Sequence, residues 1–280
     1  MNVNYKTYSY TDEQKYYIYA SIFFFFWVTA FLIAVTDFVL IVAVCSWYFT
    51  ENEDKRGDFS ILKGYYWAFG KNMGSLLFGS FIIAIVWVVR IIFEYIERKI
   101  QSNNGQMAPA LQWVLKATRC CLDCCHRFIK YVNKNAYCQV ALTGESFCVA
   151  AVNGFLLILK HSMTFAFTSG IGGIFNLLGK LTVCIINVIV GYFLLDFDQL
   201  LHDKISSPVG PMLVIFIISY VISSLFMVMY STTSICLLHC LFADVDICKT
   251  MGYDEMQGQN RPSEMRSIVR VLSKVKSNAK

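Results

Sequence analysis

The chain has 280 residues, of which 56% are hydrophobic and 15% charged, with a formal net charge of +5. Soluble domains carry about 25% charged residues, so this composition excludes an ordinary water-soluble domain. No basic stripe with interleaved aromatics lies outside the apolar runs, which excludes nucleic acid as a partner.

Residues 1–17 carry Asp12, Glu13 and several tyrosines. They lack the basic start and short apolar core of a cleaved signal peptide and read as a cytoplasmic N-terminal segment. Ile18–Phe49 then runs thirty-two residues with one charged side chain, Asp37. About 20 apolar residues cross a bilayer, so this is the first span. Residues 50–72 balance four basic against four acidic side chains and read as an outer loop. Met73–Phe93 is the second long run, interrupted by Arg90. Residues 98–135 are rich in Lys and Arg and hold the cluster Cys120, Cys121, Cys124, Cys125. Asn135–Ser169 is apolar but cut by Glu145, Asn153 and Lys160, so its pieces read as interfacial or re-entrant helices. Gly170, Gly172 and Gly173 are expected to break the backbone before a third run, Ile171–Leu195, which contains Lys180. Pro211–Phe242 is the fourth run, and a basic tail follows it.

The expected fold is all-α. Four transmembrane helices cover about 18–49, 73–97, 171–196 and 208–243, with cytoplasmic-side interfacial helices within 108–169 and a cytoplasmic tail over 244–280. The positive-inside rule puts 98–135 and the tail in the cytoplasm, and 50–72 and 196–207 outside. Parity then requires that 135–169 return to the face it left, with both termini cytoplasmic.

Asp37 is the leading functional candidate, because an ionisable group at bilayer depth is costly unless it is paired or hydrated. It can serve as counter-charge to a cation or as a proton carrier. A protonated Asp bonded to Thr36 or a neighbouring helix explains it equally well. Quaternary ammonium ions are gripped by aromatic faces, and the spans are aromatic-rich. Trp27 is the best aromatic candidate, with Tyr48 and Trp87 behind it, although interfacial belts use the same residues. Trp27 lies ten residues before Asp37, about 15 Å along one helix. The hydroxyls Ser231, Thr232, Thr233 and Ser234 can line a pathway, or bond back to carbonyls. Lys180 reads as a snorkelling residue.

There are eleven cysteines. Six lie in or beside apolar runs, at Cys45, Cys138, Cys148, Cys184, Cys236 and Cys240, where thiols act as small hydrophobes. Cys120, Cys121, Cys124, Cys125 and His126 form one cluster, whereas zinc sites normally use two separated ligand pairs. No metal is assigned. S-palmitoylation fits these four cysteines better, with unmodified thiols the plain alternative, and the basic flank suits anionic lipid. No nucleophile elbow, P-loop, HExxH or paired DxxxD occurs, so neither an enzyme nor a cofactor is expected.

Three stretches carry a resemblance: NMGSLLFGSFIIAIVWVVRIIFEYIERKI (72–100), RCCLDCCHRFIKYVNKNAYCQVALTGESFC (119–148) and CLFADVDICKTMGYDEMQGQNRP (240–262). With LGKL at 178–181 and Arg261-Pro262, their order resembles the C-terminal half of the choline transporter-like family. The resemblance implies a plasma-membrane carrier of choline, and of ethanolamine, with a missing N-terminal half or a full-length relative as partner. The alternative is a non-transporting membrane partner or scaffold derived from such a carrier. Ile235 stands where the family pattern implies an acidic residue, Ala243 thins the acidic exit, and Asp37 offers a substitute charge.

Overall fold

The computed structural model describes residues 10–50, 60–103, 109–197, 207–252, 261–262 and 265–266. Among them are seven helices and no strand: α1 (Asp12–Phe49), α2 (Ser60–Gly70), α3 (Met73–Asn103), α4 (Pro109–Thr143), α5 (Phe147–Lys160), α6 (Ser162–Phe197) and α7 (Val209–Thr250). Residues 1–9, much of the outer loop and most of the basic tail lie outside the described residues.

Helix α1 starts where a capping box dictates. The Thr11 side chain accepts from the Gln14 amide, and the Thr11 amide donates to Gln14 Oε1 at 3.1 Å. Asp12 and Glu13 add favourable charge to the first turn. Ala34, Phe38, Ile41, Cys45 and Tyr48 recur every three or four residues and are all buried. They form the stripe around which the core is built.

Four described helices are long and apolar enough to cross a bilayer: α1, α3 to Ile100, α6 and α7. This is a polytopic all-helical membrane protein. Helices α4 and α5, bent by 105° at 144–146, form a fifth candidate if they count as one span.

The direction of each helix follows from its contacts. Helices α2 and α3 run antiparallel to α1: Gly64 lies against Val39, Phe69 against Phe31 and Phe81 against Phe23. Helix α4 runs back beside α3, with Arg119 near Glu97, Asp123 on Arg90 and Asn133 bonded to Gly79 O. Helices α6 and α7 form an antiparallel pair, through His161–Asp246, Asn176–Met227 and Gly191–Ile215. Helix α7 runs parallel to α1: Thr232 meets Asp37, Cys236 meets Ile41, Cys240 meets Cys45 and Asp244 meets Tyr48.

That packing bears on the parity expectation. With α1 and α7 parallel, Asp12 and Thr250 sit at opposite ends of the bundle, not at one face. The cysteine cluster and the start of the tail separate in the same way. Cys121 lies about 20 Å before Lys134 on α4, and Asp244 about 18 Å beyond Thr232 on α7, at 1.5 Å per residue. The cause is α4, whose polar first half kept it below the hydropathy of a span although it runs the length of the bundle.

Two local expectations also change. Part of the outer loop is α2, which packs on α1 and stops at Gly70, where the Lys71 and Asn72 amides and the Asn72 side chain all donate to Trp67 O. Gly170, Gly172 and Gly173 do not break the backbone; they lie inside α6, which begins at Ser162. Nothing crowds those three positions.

Candidate site in the helix bundle

Asp37 is paired. Its Oδ2 lies 3.7 Å from Lys134 Nζ of α4, and its Oδ1 accepts from Thr232 Oγ1 of α7 at 3.1 Å. Lys134 Nζ also donates to Thr232 Oγ1 at 2.7 Å. Thr232 is 1% exposed, and the Asp37 and Lys134 side chains are 14% exposed. Three helices thus place a carboxylate, an ammonium and a hydroxyl in contact with net charge zero. The Thr232 proton has a second acceptor in Val228 O at 3.1 Å. The carboxylate is the stronger of the two because it is charged.

This triad forms because each member is costly alone at bilayer depth. Breaking a buried ion pair by removing one partner costs about 3–5 kcal/mol. The Thr232 hydroxyl neutralises neither charge, but it holds both in register.

The other expected site residues do not converge on Asp37. Trp27 donates its indole N–H to Leu77 O at 3.3 Å and packs edge-on against Phe81. Trp87 donates to His126 Nε2 at 3.3 Å and packs against Phe26. Both sit on the α1–α3 seam. Tyr48 is fully buried and donates to Asp244 Oδ2 at 3.3 Å. That carboxylate also receives Arg261 Nε at 2.7 Å. Arg261 is 1% exposed, so this is a second buried charge cluster, tying the segment after α7 to α1. Lys180 Nζ lies 5.9 Å from the centre of the Tyr220 ring. Cys120, Cys121, Cys124 and Cys125 are exposed on α4.

Sequence reasoning missed Lys134, which it counted among loop charges, and Arg261, which lies beyond the last span. It also missed Tyr137, one turn past Lys134, buried at 2% exposure. The Tyr137 hydroxyl has no hydrogen-bond partner among the described residues. The usable signal was complementarity, since a membrane aspartate demands a cation on a neighbouring helix.

A cavity of about 620 Å³ opens beyond the triad, where α1, α2, α4, α5 and α7 meet. Phe49, Trp67, Gln139 and Asn153 are among the side chains that line it. Two ammonium groups already lie over the Trp67 ring, Lys63 at 4.8 Å and Lys71 at 5.9 Å from its centre. The geometry allows cation–π contact.

A helical membrane bundle with a charge pair between three of its helices and a cavity further along them, with Phe49 and Trp67 in its lining, has the features of a carrier for a small polar solute. A family model described as plasma-membrane choline transporter matches residues 1–246, and the chain belongs to that family. It is 30% identical over 256 residues to choline transporter-like protein 2 of Cavia porcellus, covering 89% of this chain and 35% of that protein. Choline transporter-like protein 2 of Dictyostelium discoideum is 28% identical over 233 residues, covering 83% and 36%. Choline transporter-like protein 1 of Caenorhabditis elegans is 31% identical over 229 residues, covering 78% and 29%. The chain therefore spans about a third of the length of these relatives.

Proposed function

We propose that this chain is part of a plasma-membrane carrier for choline or a related small cationic alcohol such as ethanolamine, and that Asp37 is the group that balances the substrate's charge. The observation that carries this reading is the ammonium of Lys134, 3.7 Å from Asp37. A carboxylate that already holds one alkylammonium at bilayer depth is built to hold another. For the charge to balance, arrival of the substrate cation must drive the Lys134 ammonium out of the low-dielectric site toward water, so that Asp37 keeps one counter-charge at each stage. Tyr137 and Thr232 stand beside the exchange, and the Trp67 cavity is the route in, with Lys63 on the ring where the substrate first docks.

Trp27, Tyr48 and Trp87 act in this scheme as positioning residues. Their polar atoms are committed to helix seams, and they hold α1 against α3 and α7. Cys120, Cys121, Cys124 and Cys125 remain the candidates for S-acylation, since all four are exposed on α4. Membrane lipid, or the further helices of a longer carrier, covers α6 and α7. Only 11% of each of their apolar windows is buried, against 44% for α1.

Labelled choline uptake tests the reading in cells expressing this chain, alone and with a full-length relative. Uptake above mock in either case, lost in Asp37→Asn at equal surface level, is expected. Uptake in neither case, in protein shown to reach the surface, would overturn the carrier reading in favour of a non-transporting membrane partner.

A further inference from the structure

The α1–α7 seam holds three thiols beyond the triad. Cys45 Sγ lies 3.6 Å from Cys236 Sγ and 3.6 Å from Cys240 Sγ, and all three sulfurs lie within 4.8 Å of one another. Cys236 and Cys240 are one turn apart on α7, so they share a face. The parallel packing of α1 brings Cys45 between them. Cys45 is 6% exposed and the other two are fully buried. Read as separate small hydrophobes in the sequence, these cysteines meet only in the fold.

We propose that Cys45, Cys236 and Cys240 form a binding site for one soft metal ion, copper(I). A metal–sulfur bond of about 2.3 Å places three trigonal sulfurs about 4.0 Å apart. The two 3.6 Å separations lie close to that value on its short side, and the third is within 4.8 Å. The donor set is all sulfur, which selects a soft, thiophilic ion. His239 is turned away, with Nε2 3.0 Å from Gln139 Oε1. Tetrahedral zinc needs a fourth ligand. The nearest further thiol, Cys138 of α4, approaches Cys236 but lies outside the three-sulfur group. With all three cysteines bound as thiolates, copper(I) leaves the site with two negative charges, and three protons are released on binding. The bound ion would clamp α1 to α7 at one and two turns past the Asp37–Thr232 contact. This inference rests on the seam's geometry and not on the transport reading.

The exposed cysteines of α4 are soft donors too, so the test uses the full chain with Cys120, Cys121, Cys124 and Cys125 all changed to Ser, purified under reducing conditions. Copper(I) is supplied through a chromogenic chelator, and copper-edge X-ray absorption counts the neighbours. One equivalent of copper bound by three sulfurs is expected. Cys45→Ser and Cys240→Ser should each weaken binding at least tenfold, while Cys184→Ser, buried elsewhere, leaves it unchanged. Binding in Cys45→Ser equal to that of its parent, in protein that elutes and melts alike, would overturn the site. So would a disulfide among the three residues in the reduced protein. If the Cys45 variant does not fold, the sulfur count on the parent decides: three supports the site and fewer overturns it.

Discussion

Asp37 stands out in the sequence because its solvent is wrong for it, and the fold changes what it means. It is one half of a neutral pair, with Lys134 as internal counter-ion and Thr232 bridging both. Only its own half was legible. Lys134 sits in a stretch rich in other basic residues and reads as surface charge until α4 is placed inside the bundle. Residue type announces cation–π capacity but not place: Trp27, Trp87 and Tyr48 do not gather at Asp37, and their polar atoms go to Leu77, His126 and Asp244. A double-mutant cycle tests the pair. Asp37→Asn and Lys134→Met should each destabilise the purified protein by about 3–5 kcal/mol in thermal melts. The double variant should recover most of the loss, because no lone charge is left buried. Strictly additive losses would mean that the two groups do not interact. At the second cluster, Arg261→Met strands Asp244 beneath Tyr48 and should also lower the Tm, whereas Arg266→Met, at an exposed neighbouring position, should leave it unchanged.

At the scale of elements, the long apolar runs were legible because their hydropathy needs no partner to interpret. Helices α1, α3, α6 and α7 appear close to where the runs lie. What was not legible depends on packing. Helix α4 is carried by contacts of its second half, where Asn133, Asn135, Ala136, Tyr137, Cys138 and Val140 are all buried. Glycine position alone also misled, since Gly170, Gly172 and Gly173 stay helical while Gly79 marks a real close approach. A Cβ on Gly79 would meet Phe147 Cε2 at 2.8 Å and Tyr137 Cζ at 3.0 Å, at the point where Asn133 Nδ2 donates to the Gly79 carbonyl at 2.8 Å. Gly79→Ala should therefore cost about 1–3 kcal/mol by overpacking the α3–α4 contact. Gly74→Ala, with nothing within 4 Å, should leave the melting temperature unchanged or raise it. Equal melts for the two variants would contradict the close packing of α3 on α4.

For the whole molecule, the parallel course of α1 and α7 leads to a different topology from the one charge counting gives. The positive-inside rule sums Lys and Arg near span ends, and it assigned the α4 charges to a loop. The two ends of the described bundle should lie on opposite faces of the membrane. Membrane-impermeant thiol labelling of intact cells can read this with single cysteines introduced at Asp12 and Thr250 in a chain otherwise lacking exposed cysteines. Exactly one of the two should label before permeabilisation; labelling of both, or of neither, would contradict the arrangement. The same architecture gathers α1, α4 and α7 around the triad and leaves α6 and the outer face of α7 for lipid or further helices. The central claim, that Asp37 receives the substrate cation in exchange for Lys134, is tested most directly by equilibrium binding of labelled choline to the purified chain. The account predicts binding at least tenfold weaker in Asp37→Asn and tighter in Lys134→Met than in the unsubstituted protein. Choline affinity unchanged by both substitutions, in protein that remains folded, would contradict it.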